Sequence, residues 1–176
     1  PTQSFAAGGS GAAATAPKTA LPAVFIPAMR NIDFNLGFLV DREKLAHFMA
    51  TQTEFHCLLE TSFGYTGVNI KIPLKNKITE LDVHELVLKD GETEVNKCGY
   101  DRYLAMLTPR ERENKLKQER YNTFLVFHSG KVIMSGMTAE FMRDTFNEFL
   151  RIIRTCEDQI KERLDAPEIL ESDSSE

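Results

Sequence analysis

Residues 121–136, YNTFLVFHSGKVIMSG, contain two runs of β-forming residues joined by a short polar segment at residues 128–131. This pattern predicts a β-hairpin. Because side chains alternate along a strand, each strand presents two different faces. One face carries Phe124, Val126, Val132 and Met134, and the other carries Thr123, Leu125, Phe127, Ile133 and Ser135. Both faces are substantially apolar, so we expect other groups to pack against each of them.

Two helices are predicted around the strands. Asp41 is a predicted N-cap for the segment REKLAHFMA, and Thr138 is a predicted cap for a long closing helix. The apolar positions of the closing helix keep a helical period: Phe141, Phe146, Phe149, Ile152, Ile153, Cys156, Ile160 and Leu164. The long helix is therefore expected to contribute core side chains.

Three further segments complete the expected architecture. Residues 25–40 predict one half-buried strand, and residues 55–74 predict two strands joined by a projecting turn, SFGYTG. Residues 75–120 predict an insertion, with a hairpin about Asp90 and Gly91 and a surface helix opened by a capping box from Thr108 to Glu111. The order of elements indicates an α+β fold, an antiparallel sheet with helices on one face.

The ends of the chain differ in composition from its middle. Residues 1–22 are rich in Ala, Gly, Ser, Thr and Pro and predict a disordered linker, and residues 166–176 predict an acidic disordered tail. We expect one folded unit over residues 23–165. Helices on one side of its sheet would leave the second apolar face to be covered by the insertion, another subunit, a ligand or a partner.

Composition excludes several functional classes. The net charge is −5, but residues 157–176 carry eight acids against two bases, so residues 1–156, with nineteen bases against eighteen acids, are nearly neutral. The three cysteines are widely spaced and are expected to be free thiols. Nothing assembles a catalytic pair, a P-loop or a metal site, so we expect neither an enzyme nor a cofactor. No apolar run is long enough to span a bilayer, and a soluble intracellular protein is expected.

The segments MRNIDFNLGF, SFGYTGVNIKI and FLVFHSGKVIMSG, followed by a long amphipathic helix, resemble the second repeat of the TATA-binding protein family, in the same order. The resemblance covers residues 25–164 apart from the insertion, and it is nearest to the divergent family members of large DNA viruses. It implies a saddle-shaped curved sheet with helices on the convex face. It also implies a transcription initiation factor that binds and bends AT-rich promoter DNA, with no cofactor, in a nucleus or a viral factory.

The resemblance also implies roles for individual residues. Asn31 matches an asparagine that donates to minor-groove acceptors. Tyr65 and Phe127 match two phenylalanines that wedge between bases. The remaining DNA-binding matches are Thr123, Leu125, Ile133 and Ser135 on the concave face and Lys71 and Lys131 near phosphates. Residues 60–65 match the turn that contacts a B-type general transcription factor, so Glu60, Thr61, Ser62 and Phe63 are expected partner-binding residues, with RNA polymerase recruited in turn.

The sequence departs from the family pattern at three points. Asp33 stands where the family has a groove-facing valine, and a carboxylate near phosphates is unfavourable unless it is paired. Tyr65 replaces a phenylalanine. One repeat is visible, so the saddle would be completed by an upstream repeat or by a second copy. Two alternatives stay open: a saddle-shaped protein-interaction module that has lost DNA binding, and an accessory domain attached to a nucleic-acid enzyme.

Overall fold

The computed structural model describes residues 23–60, 66–89 and 91–163. The described residues form two antiparallel sheets and four α-helices, so the predicted α+β class is confirmed. In chain order the elements are β1 (Ala23–Phe25), β2 (Arg30–Asn35), α1 (Arg42–Gln52), β3 (His56–Glu60), β4 (Gly67–Pro73), a 3-10 helix (Ile78–Glu80), β5 (Asp82–Lys89), β6 (Glu92–Gly99), α2 (Tyr100–Ala105), α3 (Pro109–Lys117), β7 (Tyr121–Phe127), β8 (Lys131–Gly136) and α4 (Ala139–Ile160).

The larger sheet has five antiparallel strands in the order β2-β8-β7-β4-β3. Strands β3 and β4 are neighbours in sequence, as are β7 and β8, whereas β2 pairs with β8 across most of the chain. Opposing residues of antiparallel strands point to the same side of a sheet. The register therefore decides which side chains share a face: Ser135 lies opposite Asn31 on one side and Thr123 on the other.

Helices α1 and α4 pack on one face of this sheet, the helix-covered face. Its fully buried side chains come from the three central strands and both helices: Val68, Ile70, Phe124, Val126, Val132, Met134, Leu45, Met49, Phe149, Ile153, Cys156 and Ile160. The ring of Phe124 stacks on that of Phe149, with centroids 4.1 Å apart. The predicted inward face of the β7–β8 hairpin is thus confirmed.

Side-chain caps fix where the two helices begin. The Asp41 carboxylate accepts a hydrogen bond from the Lys44 amide at 3.1 Å, and the Thr138 hydroxyl accepts one from the Phe141 amide at 3.3 Å. Both predicted caps are confirmed. Helix α4 ends at Ile160, and Leu164, the last residue of the predicted period, lies outside the described residues.

Two polar or small residues hold the central hairpin in place. The buried Asn122 amide donates to the Phe141 carbonyl at 2.9 Å and to the Thr145 hydroxyl at 2.8 Å, which ties β7 to α4. Gly130, in the turn between β7 and β8, has φ 78°, and a Cβ there would collide with the Phe38 carbonyl oxygen. A glycine is required at this turn for both reasons.

Strand β1 and the two strands of the insertion form a second, three-stranded sheet in the order β1-β5-β6. Its separate core consists of Ile78, Leu81, Val83, Tyr100 and Leu104, together with Phe141 of α4. The insertion therefore packs against the start of α4. The predicted hairpin about Gly91 is confirmed as β5–β6, while Asp90 lies outside the described residues. The Thr108–Glu111 capping box is present at the start of α3.

The single strand predicted over residues 25–40 is wrong. Ala23–Phe25 pairs with β5 in the smaller sheet, and Arg30–Asn35 pairs with β8 in the larger one. Pro27 lies between them and has no amide hydrogen to donate to a strand ladder. After β2 the chain turns at Gly37, which has φ 87° and donates to the Asn35 side chain at 2.7 Å.

Candidate nucleic-acid interface

The face of the five-stranded sheet opposite α1 and α4 is called the open face below. The register places on it Asn31, Asp33, Asn35, His56, Leu58, Gly67, Asn69, Lys71, Thr123, Leu125, Phe127, Lys131, Ile133 and Ser135. None of these residues belongs to either hydrophobic core of the described chain. The core of the insertion lies elsewhere, against the start of α4.

A polar row crosses the open face from one edge to the other. The register aligns His56, Lys71, Thr123, Ser135 and Asn31 on successive strands. The row presents an ammonium group, two hydroxyls and an amide, and all of these donate hydrogen bonds. A ligand rich in acceptors therefore fits this row.

The neighbouring row is mainly apolar. It contains Leu58, Asn69, Leu125, Ile133 and Asp33. Leu58 is 59% exposed, and Leu125 and Ile133 are half-buried. Leu125 lies over Gly67, because a Cβ at Gly67 would be only 2.7 Å from a methyl carbon of Leu125. An accessible apolar strip of this kind fits a ligand whose own surface is flat and partly apolar.

Phe127 lies at the end of the open face near the β7–β8 turn. Its partner on β4 is Gly67, so the neighbouring strand has no side chain opposite the ring. Phe127 is half-buried rather than enclosed. The chain just before Gly67 is anchored to α1, because the Arg42 guanidinium donates to the Thr66 carbonyl at 2.8 Å.

The described residues of the open face include two lysines and one aspartate. Lys71 and Lys131 are both exposed, and the Lys131 ammonium lies 3.8 Å from the Asp33 carboxylate. Both partners are more than half exposed, so solvent screens the attraction and the pair contributes about 0–1 kcal/mol to stability. A phosphate can therefore compete with Asp33 for Lys131.

Eight residues proposed from the sequence to contact DNA lie on this one face: Asn31, Lys71, Thr123, Leu125, Phe127, Lys131, Ile133 and Ser135. The ninth, Tyr65, lies outside the described residues, as do Thr61, Ser62 and Phe63 of the proposed partner turn. The backbone of Glu60 ends β3 and pairs with Gly67.

Sequence reasoning assigned no role to five members of the open face: Asn35, His56, Leu58, Gly67 and Asn69. His56 and Leu58 enter it through the pairing of β3 with β4, and Asn69 enters it between Gly67 and Lys71. Simple alternation from Lys71 would have placed Asn69 on this face. The pairing of Asp33 with Lys131 was also missed, because it depends on the register of β2 against β8.

Three observations on the described chain concern metal binding, membranes and thiols. No group of three or more His, Cys, Asp or Glu residues there is placed to hold a metal ion, and no helix there is long and apolar enough to cross a membrane. The cysteines are unpaired, as predicted. Burial raises the pKa of the Cys57 and Cys156 thiols to about 11, which makes both poor nucleophiles at neutral pH.

Comparison with known proteins identifies a viral relative. The chain is 28% identical over 137 residues to the uncharacterized protein 335L of Invertebrate iridescent virus 6. The match covers 72% of this chain and 40% of that protein. No family model and no solved structure matches the chain.

Proposed function

We propose that this chain is a TATA-binding-protein-like transcription initiation factor that binds AT-rich DNA through the minor groove and bends it. The observation that carries the proposal is the open face: one face of the five-stranded sheet is covered by two helices, and the other is left to a ligand. A sheet face of mixed apolar and donor character fits the minor groove, where A·T pairs present only acceptors.

The arrangement of elements supports a saddle repeat. A strand and a helix are followed by two strands, the insertion, a hairpin and a long helix, in the order of the resemblance. In this proposal the sheet is the concave side of the saddle and the helices form its convex side. An exposed β2 edge remains, and an upstream repeat or a second copy would pair there to complete the saddle.

The open face offers the groups that this mode of binding uses. Asn31 supplies an amide donor at the end of the polar row. Phe127 supplies a half-buried ring at one end of the face, where insertion between bases would kink the duplex. Lys71 and Lys131 supply charge for phosphates.

Recruitment is the second half of the proposed function. Residues 61–65 come directly after the edge strand β3 in the sequence, and in the proposal residues 60–65 contact a B-type general transcription factor, which brings RNA polymerase. The same proposal implies that the protein acts in a nucleus or a viral factory. The similarity to an iridescent virus protein favours the viral factory.

Fluorescence anisotropy with one AT-rich and one GC-rich duplex tests the DNA-binding step. The intact chain should bind the AT-rich duplex more tightly, and Phe127→Ala should weaken that binding by about tenfold or more, since a stacked ring contributes about 1–3 kcal/mol. Leu88→Ala is the matched control, because Leu88 is an apolar side chain 49% exposed on the insertion hairpin. Equal binding by Phe127→Ala and the intact chain would count against the proposal.

A protein-interaction module that has lost DNA binding is the alternative function. The Asp33 carboxylate near Lys131 favours it, because the pair removes much of the positive charge that would attract phosphates. No binding to either duplex by the folded chain would favour this alternative.

A further inference from the structure

Asn69 is a polar residue placed among apolar neighbours. It lies on β4 in the apolar row of the open face, opposite Leu58 on β3 and Leu125 on β7. Its side-chain oxygen Oδ1 is sealed from solvent and has no hydrogen-bond partner in the described chain. An unpaired, desolvated carbonyl is destabilising. A leucine, which has the same branched shape, would avoid that cost, so folding alone does not explain an asparagine here.

The amide nitrogen of Asn69 is in a different situation from its oxygen. Nδ2 makes no hydrogen bond with a described residue, and Asn69 as a whole is half-buried, so a part of this residue other than Oδ1 stays accessible. The nitrogen and the oxygen are bonded to the same carbon and point in different directions. Because Oδ1 is sealed from solvent, the NH2 group is the polar part of the side chain left to face a ligand on the open face.

We infer that Asn69 is a specificity-determining residue whose amide nitrogen donates a hydrogen bond to the adenine N3 or thymine O2 atoms of the minor groove. The inference rests on the proposed DNA-binding function and adds a second amide to the one supplied by Asn31. Guanine places an amino group in the minor groove, and a donor facing it there is repelled. Asn69 would therefore favour A·T pairs over G·C pairs.

The two amides read different base pairs. Asn69 lies on β4 and Asn31 on β2, with β7 and β8 between them. At about 4.8 Å between strands, their backbones are about 14 Å apart. That separation exceeds the rise of about 3.4 Å per base-pair step of B-DNA several times over. Replacing one amide should thus leave selectivity at the other position intact.

The test uses three duplexes that differ only at their central pairs: A·T, I·C and G·C. Inosine lacks the guanine amino group, so I·C presents the same minor-groove acceptors as A·T while its major groove resembles that of G·C. The intact chain should bind A·T and I·C similarly and G·C more weakly. Asn69→Leu should lose about five- to tenfold in affinity for A·T and I·C and change little for G·C.

Thermal unfolding separates this role from a structural one. Asn69→Leu should raise the unfolding temperature, because the unpaired carbonyl is gone, while selectivity falls. Asn96→Leu is the matched control, since Asn96 is an exposed strand residue of the insertion and should leave both selectivity and affinity unchanged.

Two results would overturn the inference, and they have different consequences for the proposed function. If the intact chain discriminates A·T from G·C and Asn69→Leu keeps that discrimination, Asn69 is not a specificity residue, although the proposed function stands. If the intact chain shows no preference among the three duplexes, the proposed function and this inference fall together.

Discussion

The two faces of the β7–β8 hairpin differ in what surrounds them. Phe124, Val126, Val132 and Met134 on the helix-covered face are fully buried. On the open face, Leu125, Phe127 and Ile133 are half-buried, with no part of the described chain packed over them as a core. The same two strands therefore supply the centre of the core on one side and an uncovered surface on the other.

Apolar character alone therefore does not assign a strand residue to a core. Both faces of this hairpin are rich in aliphatic and aromatic residues, but only one has helices against it. The open face mixes those residues with an amide, hydroxyls and ammonium groups, as an interface does. We therefore expect substitutions on one face to change folding and those on the other to change binding.

The largest contrast is expected between two phenylalanines of the same strand. Phe124→Ala should lower the free energy of unfolding by about 3–5 kcal/mol, because it leaves a cavity against Phe149. Phe127→Ala should cost about 1 kcal/mol, since a half-buried site leaves no enclosed cavity. Urea denaturation of both variants measures the difference. Equal losses would show that the open face is also core.

The next comparison is between two glycines. Both have a left-handed backbone, but an added Cβ would meet a steric clash at only one of them. Gly130→Ala should cost about 2–4 kcal/mol, because it combines a left-handed φ with a collision against the Phe38 carbonyl. Gly91→Ala has a similar φ of 86° but nothing within 4 Å of the added carbon, so about 1 kcal/mol is expected. Thermal unfolding compares the two variants. A larger loss for Gly91→Ala would contradict the packing described at the β7–β8 turn.

A smaller effect is expected from the charge pair on the open face. Asp33→Asn should strengthen DNA binding about fivefold, because it releases Lys131 for a phosphate and removes a like charge, at about 1 kcal/mol of Coulomb energy. The unfolding temperature should barely change. Asp82→Asn is the control, since Asp82 pairs with Lys97 at 2.6 Å on the insertion. Anisotropy titrations with the AT-rich duplex measure both, and weaker binding by Asp33→Asn would contradict the assignment.

The smallest effect concerns the edge strand β3, where His56 and Leu58 face the open side and Cys57 faces the helices. With a pKa raised to about 11 by burial, Cys57 is about 0.1% thiolate at pH 8. Iodoacetamide labelling, followed by mass spectrometry, should be slow at pH 8 and accelerate about tenfold per pH unit up to that pKa. Rapid labelling at pH 8 would place Cys57 on the exposed side.

Local patterns were sufficient to predict the hairpin and its two faces. Strand alternation in residues 121–136 and the caps at Asp41 and Thr138 depend on neighbours within a few residues, and the structure agrees with each. The open face could be predicted to the same extent, because most of its residues come from strands whose alternation is clear in the sequence.

Long-range pairing could not be predicted in the same way. Residues 25–40 alternate like one strand, yet residues 23–25 and 30–35 belong to different sheets because β5 and β8 offer separate partners. The contact of Asp33 with Lys131 arises from the same pairing of β2 with β8. These features depend on which strands pair and in which register, and no single segment of the sequence specifies that pairing.

Methyl NMR spectra with an AT-rich duplex test most directly whether the open face binds DNA. Addition of the duplex should shift the methyl signals of Leu58, Leu125 and Ile133 and leave those of Ile70 and Val126, buried on the helix-covered face, nearly unchanged. Shifts confined to the insertion, or no shifts at all in the folded chain, would contradict the account.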